Sequence, residues 1–139
     1  MTLHYLLMAG HAQMRRCVQR ALRETGLTPG QPKVLDYLGL QDGASQREIA
    51  EACHIEPATL SSLLRRMEEG GLVERRGLGG DRRTAHVYLT DRGRGMQRQV
   101  EEAFRRLDLA ALGGVPPEDR ETALRVLKAV LENLQKEQA

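Results

Sequence analysis

Residues 71–93, GLVERRGLGGDRRTAHVYLTDRG, decide how this chain folds. Leu72 and Val73, then Val87 and Leu89, alternate apolar and polar positions at the period of a half-buried strand. Between them lies a glycine-rich tip, Gly77, Gly79 and Gly80, followed at once by Arg82 and Arg83. Two short strands and a basic tip predict a β-hairpin, and Thr90 stands where it can cap the next helix.

Upstream, residues 57–70 carry a helical pattern that runs straight into the hairpin. Pro57 suits a first helical position. On a 100-degree wheel Leu60, Leu63, Leu64 and Met67 share one face, the core side. The opposite face holds Ala58, Ser62, Arg65 and Glu69, flanked by Ser61 and Arg66, with Thr59 at the margin. Small polar side chains in the first turns let a helix enter the major groove, where Thr59, Ser61 and Ser62 reach base edges or phosphates. Arg65 and Arg66, one to two turns later, suit phosphates or guanine. A helix beside a basic hairpin holds duplex DNA, one element in the major groove and the other alongside. A narrow minor groove draws inserted arginine, which fits Arg82 and Arg83. Asp81 repels phosphate and is expected to orient a neighbouring arginine by an ion pair.

Further upstream, Ser45-Gln46-Arg47-Glu48 reads as a capping box that opens a short helix through Ile49, Ala50 and Cys53. Thr28-Pro29-Gly30-Gln31 reads as another, with Thr28 as N-cap, Pro29 at the first helical position and Gln31 reaching back. That helix would bury Val34, Leu35 and Leu38. Residues 3–24 form an amphipathic helix ended by Gly26. Beyond the hairpin, a long helix buries Met96, Val100, Phe104 and Leu107. After a break at residues 113–117, a last helix repeats Leu124, Leu127, Leu131 and Leu134 at heptad-like spacing. The fold class is therefore mainly α with a small β-hairpin wing (α+β): a winged helix-turn-helix flanked by terminal helices. Those helices lack an evident intrachain cover, and a second copy would satisfy them.

Composition bounds the function. The formal net charge of +2 is too small to argue for nucleic acid, so its distribution must. Residues 57–94 hold eight arginines against five acids, whereas residues 101–139 hold eight acids against six bases. With only Tyr5, Tyr37, Tyr88 and Phe104 as aromatics, stacking on splayed single-stranded bases is disfavoured. Cys17 and Cys53 lack metal spacing, and the four histidines lack paired spacing, so no metal or other cofactor is expected. No nucleophile motif or phosphate loop points to an enzyme. No apolar run approaches a membrane span and no basic leader precedes one, which predicts a cytoplasmic chain with no membrane partner.

The hairpin and its neighbours resemble the MarR family of bacterial and archaeal transcriptional regulators. The resemblance rests on Asp81-x-Arg83-x-x-x-Val87-x-Leu89-Thr90-x-x-Gly93 and on Met67-Glu68-Glu69-x-Gly71-Leu72-Val73-Glu74-Arg75. It rests also on Leu27-Thr28 through Gln31, and covers about residues 27–95. It implies a homodimer binding a near-palindromic double-stranded DNA operator, a repressor modulated by a small-molecule effector. Arg83 is by this resemblance the wing arginine of the minor groove, and Thr59, Ser61 and Ser62 lie where the recognition helix meets bases. The implied organisation is a dimerisation helix at 1–26, the DNA-binding domain at 27–94 and dimerisation helices at 95–139. The wing tip, Gly77-Leu78-Gly79-Gly80, departs from a family that often has proline and acids there.

The family's effector pocket lies between the dimer helices and the winged domain, often for phenolic or lipophilic anions; here that region would draw on the first helix, Tyr37 and Phe104. Some members sense oxidants through a first-helix cysteine. Cys17 sits about ten residues before the Leu27-Thr28 landmark, with Tyr5 three turns away, and reads as a packing residue, as does Cys53. Two other readings stay open: a winged-helix module that binds protein, and a thiol- or metal-responsive member of the same family.

Overall fold

The Thr2 hydroxyl accepts the Tyr5 N–H at 3.1 Å and so opens the first helix, α1 (Leu3–Ala21), in this computed structural model, which describes residues 1–77 and 85–139. A single 3-10 turn follows, and Gly26 closes it at φ +74, a left-handed conformation open to glycine. The chain then forms α2 (Gln31–Leu40), β1 (Ala44–Ser45), α3 (Gln46–Cys53), α4 (Pro57–Glu69), β2 (Val73–Arg76), β3 (His86–Leu89), α5 (Asp91–Ala111) and α6 (Pro117–Glu137). It divides into two compact units, Met1–Leu107 and Asp108–Ala139.

The expected start of the second helix needs correction. Gln31 does reach back, its side-chain oxygen accepting the Thr28 N–H at 3.0 Å. Yet Thr28 and Pro29 lie in a turn closed by Gln31 N–H donating to the Thr28 carbonyl at 3.1 Å. Gly30, at φ +93, breaks any helix there, so α2 starts at Gln31 with Pro32 in its first turn. Of the other expected box, the N-cap half is seen: Ser45 Oγ accepts the Glu48 N–H at 3.1 Å. Thr90 Oγ1 likewise accepts the Gly93 N–H at 3.0 Å and opens α5.

The two expected strands are found, but β2 starts at Val73, leaving Leu72 outside it, and runs on to Arg76; a third strand joins them. β3 lies between β1 and β2, antiparallel to both, with Val73 opposite Leu89 and Ala44 opposite Val87. β1 is only two residues long, too short to leave a periodic signal.

One apolar core in the first unit draws on every element from α2 to α5. Val34, Leu35, Leu38, Ile49, Leu60, Leu64, Met67, Val87 and Val100 are all fully buried. Val18 of α1 and Met96 and Phe104 of α5 pack against it partly buried. Along α1, by contrast, Leu3, Leu6, Leu7 and Met8 stay exposed. In the second unit, Arg120 Nε donates to the Val115 carbonyl at 2.7 Å and ties the start of α6 to its approach. The heptad-like row of α6, Leu124, Leu127, Leu131 and Leu134, is 46–60% exposed. No helix among the described residues is long and apolar enough to cross a membrane.

Candidate nucleic-acid interface

α3 and α4 form a helix pair joined by a three-residue turn. His54 stops α3 at φ 53, a left-handed conformation, and Ile55 N–H returns to the Ala50 carbonyl at 3.0 Å. Glu56 and Pro57 then start α4. Its apolar stripe does what the wheel requires: Leu60, Leu64 and Met67 are fully buried and Leu63 is half-buried. As a result Thr59, Ser61, Ser62, Arg65 and Arg66 are all exposed, together with Ala58 and Glu69. The residues singled out on this helix share one solvent-facing surface, and the uncapped N–H groups of its first turn add a partial positive charge beside them.

The hairpin stem is tied at several points to the segment after α4, to α5 and to the turn before β1. Thr90 Oγ1 donates to the Gly71 carbonyl at 2.6 Å, and Gly93 passes so close to the Leu72 carbonyl that a built Cβ would lie 1.9 Å from its oxygen. Asp42 accepts the Leu89 N–H at 2.8 Å with one carboxylate oxygen and meets Arg94 at 2.8 Å with the other. Asp81, Arg82 and Arg83, the expected wing contacts, lie outside the described residues, as do Gly79 and Gly80 of the tip.

Among the described arginines of residues 57–94, two are held in ion pairs and one is buried. Arg76 pairs with Glu74 at 3.2 Å and sits 4.3 Å over the Tyr88 ring, and Arg94 is paired with Asp42. Arg75 is buried, its side chain 6% exposed. Its Nε donates to Glu68 of α4, and its Nη1 donates to Gln46 Oε1 of α3 at 3.1 Å. Counting residue types missed this; strand periodicity contained it, because Arg75 lies two residues from buried Val73 on the same face of β2.

Next to this surface, within the first unit, is an open cavity of about 570 Å³, a size common for small-molecule sites. Met14, Val18, Leu22, Leu27, Ile55, Leu63 and Phe104 supply an apolar wall. His11, Arg15, Lys33 and His54 stand around it with the carboxylate of Glu56 and the hydroxyl of Thr59. Phe104 and α1 are placed as expected; Tyr37 is not, because it packs against the core instead. The cysteines divide as well. Cys53 is buried, its Sγ 3.5 Å from the Lys33 carbonyl oxygen, and burial pushes its thiol up. Cys17 is exposed on α1, so the packing role expected of it is not met within one chain.

Known proteins share this arrangement. The sequence model of the MarR family matches residues 25–84. The HTH-type transcriptional repressor Rv2887 of Mycobacterium tuberculosis is 32% identical over 133 residues, spanning 95% of this chain and 92% of the relative. The chain belongs to the MarR family of DNA-binding transcriptional regulators. Among solved MarR structures, the DNA complex of S. aureus MepR superimposes with a TM-score of 0.86 at 26% identity, covering 96% of this chain and 99% of that one. The salicylic acid complex of Rv2887 superimposes at 0.71 with 28% identity, covering 94% and 96%.

Proposed function

We propose that this MarR regulator is a homodimeric, non-enzymatic repressor that acts in the cytoplasm and reads a near-palindromic operator. The observation that carries the reading is the face of α4, where Thr59, Ser61, Ser62, Arg65 and Arg66 are exposed together over a fully buried apolar stripe. In this reading Thr59, Ser61 and Ser62 contact bases, and Arg65 and Arg66 contact phosphate or guanine. Arg82 and Arg83, with Asp81 orienting them, enter the flanking minor groove. Residues 1–26 and 95–139 form the dimer through the apolar rows of α1 and α6, while residues 27–94 hold the DNA.

The cavity is the effector site of this reading. An apolar wall with histidine, arginine and lysine around it suits a small apolar anion. The relative Rv2887, solved with salicylic acid, supports that ligand class.

Binding of the purified protein to its own upstream DNA and to random DNA of equal length, across a salt series, tests the reading. The expected result is two chains per site, preference for the upstream DNA, and affinity that falls linearly on a log–log salt plot as phosphate contacts release counterions. No preference at any salt refutes operator reading.

A further inference from the structure

We infer that Arg75 is a positioning residue for DNA binding: from inside the protein it sets the angle between the wing and the recognition helix. This rests on the operator-reading function proposed above. With its side chain 6% exposed, Arg75 is too buried to meet a phosphate, although it sits in the most basic part of the sequence. Its guanidinium instead joins three elements at once. It belongs to β2, donates from Nε to Glu68 in the last turn of α4, and donates from Nη1 to Gln46 in the first turn of α3 at 3.1 Å.

The apolar core already holds these elements together through Leu64, Met67, Val73 and Val87. Apolar contact is non-directional, however, and does not by itself fix the angle of β2 against the two helices. A planar guanidinium fork with two acceptors on two helices removes that freedom. Arg65 and Arg66 lie within one turn of Glu68, and the wing extends from the strand that carries Arg75. The node therefore couples the two DNA-contacting elements, which must fit adjacent grooves of one duplex.

The test separates positioning from stability. Replacing both partners of a buried ion pair by apolar residues often keeps stability; here Arg75 is buried and Glu68 is 35% exposed, so removing Arg75 alone takes this donor from both Glu68 and Gln46. Wild type, R75K, R75M and the double variant E68M/R75M are each measured for thermal midpoint and for affinity toward upstream and random DNA. R75M is expected to lose both stability and operator affinity. E68M/R75M is expected to recover its midpoint yet bind the operator about tenfold more weakly than wild type, with random-DNA affinity changed less than threefold. Operator binding that returns with the midpoint overturns the proposal, because Arg75 is then only a support. Should the double variant fail to fold, R75K decides: the charge is kept but the fork is lost, so an operator affinity within twofold of wild type overturns it. Wild type that does not distinguish the two DNAs removes the operator reading itself, and the role of Arg75 with it.

Discussion

Arginines make up all of the basic charge in residues 57–94, yet they do different jobs according to where the backbone points them. Arg65 and Arg66 reach solvent, Arg76 and Arg94 are held in ion pairs, and Arg75 is inside. The type of a residue was legible in the sequence; its direction was legible only where a period settled it, as on α4. The same limit applies to Cys17, whose place on a helical wheel says nothing about what stands opposite. Arg83 is the residue on which the wing reading depends. Arg83→Ala is expected to weaken operator binding by about 1–3 kcal/mol, the scale of one good groove contact. Its thermal midpoint should match wild type, and fluorescence anisotropy with labelled operator DNA measures the loss. Unchanged affinity counts against the wing assignment.

At the scale of elements, capping residues and apolar periods located six helices and two strands, because those signals are local. What they missed is built from distant partners. β1 exists through its pairing with β3, some 40 residues on, with Gly43 N–H also donating to the Val87 carbonyl at 2.8 Å. The start of α2 shifted because Gly30 takes a backbone conformation that a motif of residue types does not encode. The glycine of the wing signature, Gly93, has a packing reason: α5 crosses the Leu72 carbonyl where no Cβ fits. Gly93→Ala is therefore expected to destabilise the fold by about 1–3 kcal/mol, as overpacking does, although alanine is the better helix former. Urea unfolding followed by circular dichroism gives the value. A stability equal to wild type would mean that α5 and the stem separate at little cost.

For the molecule as a whole, the order of elements was legible and the cavity was not, because its wall is assembled from α1, the approach to α2, the α3–α4 turn, α4 and α5. The exposed leucine rows of α1 and α6 bear on assembly. If they are buried between two copies, folding and association are one equilibrium, and the thermal midpoint should rise by about 2–4 °C for each tenfold increase in protein concentration. Calorimetry over a hundredfold range measures this, and a constant midpoint argues for a stable monomer. The cavity has a consequence of its own. Thr59 belongs both to its lining and to the exposed face of α4. A substitution there that changes which base is preferred also reshapes the place where a small molecule would rest. On the proposed reading, what this regulator reads and what it answers to would then not be separately adjustable traits: a lineage that retargets one would inherit a change in the other.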